Sequence, residues 1–362
     1  MYFVHPQIKL SRKNLKRIFF SFFKSPNLYR LEKELSLMLP GKQLVFTDMG
    51  RSAFKIILEK LNLRDSQIIF PAYICDIFYS IFKRYNIQPV FLDIDINTFN
   101  IKPESILAKI TPETKAILVS HTYGLPVNVK KIRKILSSNN SNTIIIEDCA
   151  HAFGAKFKDN FRGNTGPVAF FSLYKQFPTF RGGLLVCPED WEINLPKTNF
   201  SFRDFISFLN SFSLLAFLFK TFGQNIAPRM IRKEKTSEPS GLNSLSLNFF
   251  SNFLKKHTLS FGERISLALF FQKELEELGF LVQQSENNVF CYLSALVPKK
   301  LEKKRDKLVK ELMKERVFCT RIWHTPIILN SEAKKEYNIN LNNFPNTIEA
   351  AKRIINFPLH QY

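Results

Sequence analysis

Between residues 44 and 187 the chain alternates short apolar runs with segments of helical periodicity. The run with the strongest strand character is NTIIIED (142–148), in which four consecutive side chains before the acidic pair are uncharged and three of them are Ile. Such a run suits a strand that is covered on both faces, and spacers of about ten residues suit crossover helices. The pattern therefore predicts βαβ units and a mainly parallel sheet between helices, in an α/β protein.

This alternation divides the chain into four predicted parts. An N-terminal arm (1–40) precedes a large domain (41–195), which holds the alternating segments. Residues 196–262 are rich in Phe and Ser and then basic, and we interpret them as an insertion or linker. Helix and strand patterns resume in residues 263–362, which predict a smaller C-terminal α/β lobe. Ligands of parallel sheets bind at the carboxyl ends of the strands, so the residues after each apolar run are candidate site residues.

The composition limits the classes of molecule that the chain is expected to bind. Lys and Arg total 52 against 31 Asp and Glu, and a net charge of +21 suits nucleic acid, an anionic membrane or a phosphorylated small molecule. No homeodomain, zinc-finger or RNA-recognition signature accompanies the charge, so we expect no nucleic acid. The five Cys form no CxxC pair, which favours reduced thiols, no metal site and a cytoplasmic protein. We read no signal peptide, and the uncharged stretch 205–219 is too short to span a bilayer.

Two strand ends carry residues that suit an anionic cofactor. In TDMGRSAF, Gly50, Arg51 and Ser52 open a predicted helix, whose N-terminus can bind phosphate. In IIIEDCAHAFGA, Asp148 ends the most strand-like run of the chain, and His151 follows three residues later. Taken alone, a capped helix and a salt-bridged or capping carboxylate explain these residues equally well.

A third strand end supplies a lysine. Ser172 and Lys175 follow the strand VAFFSLY, in FFSLYKQFPTFRGG. A Lys at a buried strand end can have a lowered pKa and form an imine with an aldehyde, although a surface lysine is the simpler explanation of one such residue. A phosphate-binding helix start, an acidic strand end and a lysine strand end together outline a site for pyridoxal 5′-phosphate (PLP).

Several longer motifs make the chain resemble the DegT-type nucleotide-sugar aminotransferases, a fold type I PLP family. The motifs are FPAYICDIF, QPVFLDIDINTFNIKPESILAKITPETKAILVSHTYGLPVNV, IIIEDCAHAFGAKFKDNFRGNTGPVAFFSLYK, GGLLV and FPNTIEAAKRIINFPLHQY. They cover most of residues 40–187 and residues 344–362, while 190–340 match poorly. The resemblance implies a fold type I PLP-transferase, with a mainly parallel sheet of the seven-stranded type between helices and a smaller C-terminal lobe.

The resemblance also implies roles for single residues. Asp148 would bind the pyridine nitrogen of the cofactor, and His151 would lie beside the cofactor. The cofactor phosphate would be bound by four further positions, which are Gly50, Arg51, Ser52 and Ser172.

Lys175 is the implied Schiff-base lysine, although its spacing departs from the commonest family pattern. It lies three residues after Ser172, where the family usually has five, and Phe177 stands at the usual distance. A two-residue deletion restores the alignment, because Lys175 keeps the family's distance of seven residues from Gly182. We therefore predict that Lys175 is the catalytic residue and that it also holds PLP.

Three other positions depart from the family. The aromatic residue that stacks on the cofactor ring falls at Cys75, and Tyr73 is a candidate substitute. The residue before the Gly pair is usually acidic, and here it is Arg181. The segment that reaches the neighbouring subunit's site is not recognisable, and Asn243 is its nearest relic and a candidate substrate contact.

The resemblance implies a homodimeric transaminase that moves an amino group from glutamate to a keto sugar, nucleotide-linked, for surface glycan or lipopolysaccharide precursors. The alternative is a catalytically inactive relative that acts as a membrane-surface or complex scaffold. Arg181, the shortened lysine loop and the Phe-rich segment 200–222, which could contact a membrane peripherally, favour that alternative. Some relatives are sugar dehydratases with His in place of the lysine, but Phe177 occupies the undeleted position here.

Overall fold

The computed structural model describes residues 2–3, 26–139, 141–177, 179–199, 204, 238–259, 261–284 and 286–359. The strands of the large sheet are β2 (Gln43–Thr47), β3 (Gln67–Pro71), β4 (Gln88–Leu92), β5 (Thr114–Ser120), β6 (Ile144–Asp148), β9 (Val168–Ser172) and β10 (Gly183–Cys187). The remaining strands are β1 (Tyr2–Phe3), β7 (Lys156–Phe157), β8 (Asn160–Phe161), β11 (Leu281–Val282), β12 (Leu293–Leu296), β13 (Val317–Phe318) and β14 (Ile354–Phe357).

The α-helices are α1 (Leu28–Ser36), α2 (Gly50–Lys60), α3 (Ile77–Tyr85), α4 (Val129–Ser138), α5 (Ser244–Leu259), α6 (Phe261–Glu277), α7 (Arg305–Lys314), α8 (Ser331–Glu336) and α9 (Pro345–Arg353). Short 3₁₀ turns cover Pro103–Ala108, Thr122–Gly124, Leu173–Lys175, Lys299–Lys304, Ile327–Leu329 and Leu341–Asn343.

The large sheet has seven strands in the order β2-β10-β9-β6-β5-β3-β4. Strands β9, β6, β5, β3 and β4 pair in parallel, and only β10 runs against its two neighbours. The predicted α/β class and the mainly parallel seven-stranded sheet are therefore confirmed. Because six strands point the same way, their carboxyl ends meet at one edge of the sheet, where ligands of such folds bind.

Helices cover both faces of this sheet. Ile68 and Phe70 of β3 face the core under α2 and α3, whereas Ile69 between them faces the core under α4. Phe54 of α2 joins Phe70 in the first core, with ring centroids 6.4 Å apart. Alternate residues of one strand thus pack in two different cores, which explains why the sequence of such a strand is a continuous apolar run.

A smaller antiparallel sheet, β11-β12-β14, forms the C-terminal lobe. Leu293 of β12 packs against α6, and Leu296 of the same strand packs toward Tyr73 and Tyr123 of the large sheet's edge. Strand β1 pairs in parallel with β13 of this lobe. Helix α5 falls in the predicted insertion, and its Phe250 packs in a third core with Phe171 of β9 and Leu184 of β10. The domain boundaries stay a prediction.

The predicted membrane contact, residues 200–222, lies outside the described residues except for Asp204. Among the residues that the structure describes, none of the helices combines the length and the apolar character that crossing a bilayer requires.

A pair of glycines closes the sheet edge beside the predicted site. A Cβ added at Gly183 would lie 2.4 Å from the carbonyl carbon of Met49 and 2.5 Å from the amide nitrogen of Gly50. Gly182 adopts φ +148°, in a region that side chains disfavour. The start of β10 therefore approaches the start of α2 more closely than any other residue type would allow.

We expect Gly183→Ala to lower the free energy of unfolding by about 1–3 kcal/mol or more, because backbone on both sides cannot yield to the added methyl. Gly262→Ala is the matched control, since a Cβ at Gly262 meets nothing within 4 Å and Ala is the better helix former. Urea unfolding of both variants measures the difference. Equal stability of the two variants would contradict the close approach.

Candidate active site

The predicted site residues lie at the carboxyl ends of neighbouring strands. Asp148 ends β6, Ser172 ends β9, and β2 leads into the helix that begins at Gly50. Ser120 ends β5, and it pairs in register with Asp148. The parallel sheet therefore gathers residues that are far apart in sequence.

Asp148 is the buried carboxylate of this site. Its Oδ1 accepts a hydrogen bond from the Ala150 N–H at 3.0 Å, and its Oδ2 accepts one from the Ser120 hydroxyl at 3.2 Å. Burial raises the pKa of Asp148 above its usual value, while the positive charge of Lys175 and these two donors oppose that rise. A cation bound here would favour the charged carboxylate further.

Lys175 and His151 meet next to this carboxylate. The Nζ of Lys175 lies 3.0 Å from the Nε2 of His151. The backbone N–H of Tyr123 donates to Nδ1 of His151 at 3.3 Å, which orients the imidazole with its Nε2 toward Nζ. The lysine amine therefore lies within hydrogen-bond distance of the imidazole.

The turn that carries Lys175 shows why the lysine, rather than the residue at the usual family spacing, reaches the site. The 3₁₀ turn Leu173–Lys175 follows β9 directly, and the Leu173 N–H donates to the Gly182 carbonyl at 2.9 Å. Phe177 is buried instead in the core, 4.9 Å from the ring of Phe153 and 4.6 Å from that of Phe250. This geometry supports the two-residue deletion.

The predicted phosphate residues lie together at the start of α2. A Cβ at Gly50 would lie 2.9 Å from the Phe171 carbonyl oxygen and 3.4 Å from the Cβ of Ser172. Only glycine lets the helix start approach β9 this closely. Ser52 is buried in the first turn, and Arg51 is half-buried beside it. The positive end of the helix dipole thus lies next to the Ser172 side chain.

Tyr73 lies behind the site. Its hydroxyl is 2.9 Å from the hydroxyl of Tyr123, and its ring stacks on Phe99 at 5.9 Å. Burial raises the pKa of the Cys75 thiol, and the positive charge of Lys175 opposes that rise. The described contacts of Tyr73 support Tyr123, and its stacking on a cofactor ring stays a prediction.

Asn243 and Arg181 have partners within the protein. The Asn243 Oδ1 accepts from the Ser246 N–H at 2.8 Å and caps α5, while its buried Nδ2 has no hydrogen-bond partner among the described residues. The Arg181 Nε donates to Asp204 Oδ1 at 2.6 Å. The predicted substrate contact of Asn243 stays a prediction, because the described contact is a helix cap.

Glu147 and His121 form a buried hydrogen-bonded pair, which the sequence analysis did not identify. Both Glu147 oxygens accept hydrogen bonds, from backbone amides of the 163–166 turn and from the Nε2–H of His121 at 3.1 Å. The His121 Nδ1 accepts from the Val127 N–H at 3.0 Å. The sulfur of Cys149 is also nearby, with one ligand atom of each of the three residues within 4.8 Å of the others. Because the oxygens and ring nitrogens are engaged, we assign this cluster a structural role.

Burial raises the pKa of Glu147, but hydrogen bonds from His121 and from the Gly166 amide outweigh burial and bring that pKa below its usual value. Burial lowers the pKa of His121, which therefore stays neutral. The sequence feature that could have indicated this pair is the HTYG segment, which follows β5 and begins at His121.

Trp323 is a second residue that sequence reasoning missed. Its ring centroid lies 4.9 Å from that of His151 and 5.5 Å from that of Tyr123. It belongs to the C-terminal lobe, in the part of the sequence that matched no motif.

The sequence model described as the DegT/DnrJ/EryC1/StrS aminotransferase family matches residues 12–362. The chain belongs to this family. The resemblance that the motifs indicated is thereby confirmed over nearly the whole chain, including residues 190–340, where the motifs were hard to recognise.

Members of the DegT/DnrJ/EryC1/StrS family with different activities are similar to this chain. The dTDP-4-amino-4,6-dideoxy-D-glucose transaminase of Shigella dysenteriae is 26% identical over 341 residues, 92% of this chain and 85% of that protein. The GDP-4-keto-6-deoxy-D-mannose 3-dehydratase of Escherichia coli O55:H7 is 29% identical over 190 residues, 46% of this chain and 48% of that protein.

A solved structure of the same fold is the putative sugar aminotransferase of Streptococcus pneumoniae in its pyridoxamine phosphate (PMP) form. It has a TM-score of 0.77 and 17% identity, and the match covers 99% of this chain and 94% of that one. The PLP form of that protein has the same TM-score. The predicted fold type I is confirmed. The PLP and PMP forms of the Streptococcus pneumoniae protein also show that a structural neighbour of this chain binds the predicted cofactor.

Proposed function

We propose that this DegT-family protein is a PLP-dependent sugar aminotransferase, which moves an amino group from glutamate to a nucleotide-linked keto sugar for surface glycan or lipopolysaccharide precursors. The observation that carries the proposal is the Lys175 amine, 3.0 Å from His151 and close enough to Asp148 to act on its pKa. The transaminase from Shigella dysenteriae, similar over most of both chains, supports the reaction class.

The residues present fit PLP. Asp148 is a buried acid, with a pKa raised by burial, that could pair with the protonated ring nitrogen. The cradle between Gly50 and Ser172, which a side chain on Gly50 would fill, suits the phosphate. Lys175 would hold the aldehyde carbon. When bound, PLP supplies a ring that stabilises negative charge on the carbon that loses its proton.

Each side chain then has a defined task. Asp148 in its ionised form would hold a proton on the ring nitrogen. With PLP bound, the Nζ of Lys175 would take the proton from the Cα of glutamate and hold it for transfer. The same amine would move the proton in the opposite direction when the keto sugar is the substrate. His151 would hold Nζ in position.

A second candidate function is dehydration, because the similar Escherichia coli protein is a 3-dehydratase. The presence of Lys175 in the site, with Phe177 in the core, supports aminotransfer over this candidate. The inactive scaffold stays an alternative, and the joint placement of Asp148, His151 and Lys175 argues against it. The homodimer, the cytoplasmic location and a membrane contact through residues 200–222 also belong to the proposal.

Absorption spectroscopy tests this function. Protein mixed with PLP should develop a band near the visible edge that borohydride removes, because a reducible carbon–nitrogen bond links PLP to a lysine. Glutamate should bleach the band, and 2-oxoglutarate should restore it. A band that glutamate leaves unchanged would contradict glutamate as donor. Protein that takes up no PLP in reducible form would refute the enzyme proposal and favour the scaffold.

A further inference from the structure

The C-terminal lobe contributes one indole to the candidate active site. Trp323 is half-buried, stacks on Tyr123 with an interplanar angle of 29°, and meets Tyr73 edge-on at 5.6 Å. Its ring lies 4.9 Å from that of His151, which in turn lies 3.0 Å from Nζ of Lys175. The indole is therefore separated from the reacting amine by a single side chain.

The backbone at Trp323 is held in an uncommon conformation. Its φ is +60°, in the left-handed region that bulky residues rarely adopt. The preceding residue, Ile322, accepts a hydrogen bond at its carbonyl from the Tyr123 hydroxyl at 2.7 Å. The Ile322 N–H donates to Asn356 Oδ1 at 2.6 Å. Such strain persists only where the surroundings enforce it, and it is common at ligand-binding positions.

We propose that Trp323 forms the wall of a hexose subsite, on which the C–H face of the keto sugar packs while its keto carbon faces Lys175. This inference rests on the proposed function. A half-buried indole offers an apolar face, whereas glutamate would bring carboxylates that lose hydration against it. The nucleobase is separated from the reacting carbon by the diphosphate and the ribose. Beside the catalytic amine, the sugar is therefore the part of the substrate that reaches the indole.

The chain holds two tryptophans, which makes the inference testable by fluorescence. Trp191 is half-buried and packs against the core under α2 and α3. The variant Trp191→Phe leaves Trp323 as the single reporter, and Trp323→Phe leaves Trp191 as its matched control. Both variants are first loaded with PLP and checked for the borohydride-sensitive band, so that failure of the proposed function is detected before any sugar is added.

Each loaded variant is then titrated with dTDP-glucose, UDP-N-acetylglucosamine and GDP-mannose, and separately with dTDP, UDP and GDP. We expect at least one nucleotide sugar, but not its free nucleotide, to change the emission of Trp191→Phe in a saturable way. The emission of Trp323→Phe should stay unchanged. If the free nucleotide produces the same change, or if no nucleotide sugar affects Trp323, the hexose subsite is refuted.

Truncating the Trp323 side chain distinguishes a direct contact with the sugar from a general structural role in the site. Trp323→Ala should weaken binding of the responsive nucleotide sugar about tenfold, a loss typical of one aromatic contact. The rate at which glutamate bleaches the PLP band should fall by a much smaller factor than the sugar affinity, and Trp323→Phe should restore most of that affinity. If Trp323→Ala slows the glutamate step as much as it weakens sugar binding, the indole supports the site as a whole and the inference is wrong.

Discussion

Lys175→Ala should lower the rate of amino transfer by about 10³-fold or more, since one amine both holds the cofactor and moves the proton. The borohydride-sensitive band should disappear as well, because Lys175 supplies the amine that contacts His151 in the candidate active site. Single-turnover kinetics with glutamate, followed by absorption, measure both effects on one sample.

Two further variants sharpen this test. Lys175→Arg keeps a positive charge near Asp148 but cannot form the imine, so it should be as inactive as the alanine variant. Lys134→Ala removes an exposed lysine of α4 and should behave as wild type. A reducible band that survives in Lys175→Ala would show that another lysine holds PLP and that the deletion between Ser172 and Lys175 is misplaced.

Asp148→Asn should reduce amino transfer by about 10²-fold or more, because a neutral amide cannot keep the pyridine nitrogen protonated. The side chain keeps its shape, and its Oδ1 can still accept from the Ala150 N–H. Any loss therefore reports the missing charge. Activity near that of wild type in Asp148→Asn would refute the assigned role.

The same carboxylate predicts a pH dependence. Burial raises the pKa of Asp148, and the proposed pairing with PLP requires its charged form, so PLP affinity should fall as the pH falls through that raised pKa. Asp148→Asn should lack this fall. Ser120→Ala removes a donor that lowers the pKa, and should move the fall to higher pH. PLP titrations from neutral to acidic pH distinguish the three proteins.

The sequence predicted the large sheet, and it predicted that candidate site residues lie together at the carboxyl ends of its strands, because both follow from local patterns. Continuous apolar runs indicate strands covered on both faces, and parallel strands bring their carboxyl ends together. The meeting of Asp148 with Lys175 follows from that geometry without any knowledge of tertiary contacts. The cradle between Gly50 and Ser172 follows in the same way.

The contribution of the C-terminal lobe could not be predicted. Trp323 reaches His151 only because the lobe packs on Tyr123, and neither that contact nor the left-handed backbone at Trp323 leaves a local signal in the sequence. The hydroxyl contact of Tyr73 with Tyr123 is also tertiary, and stacking of Tyr73 on the cofactor ring stays a prediction. Helix α5 falls in a segment that the sequence analysis interpreted as an insertion or linker. Its apolar residues pack against residues that are distant in the sequence, and the neighbouring sequence does not indicate this packing.

The placement of β10 has a consequence for the order in which the protein is made. Strand β2 emerges early from the ribosome, yet its only partner in the described large sheet is β10, which is synthesised more than a hundred residues later. At the usual rate of translation this delay is on the order of 10 s. During that time the start of α2, the proposed phosphate site, lacks the glycine pair that it approaches. Cofactor capture by a nascent chain should therefore begin only after β10 has left the exit tunnel.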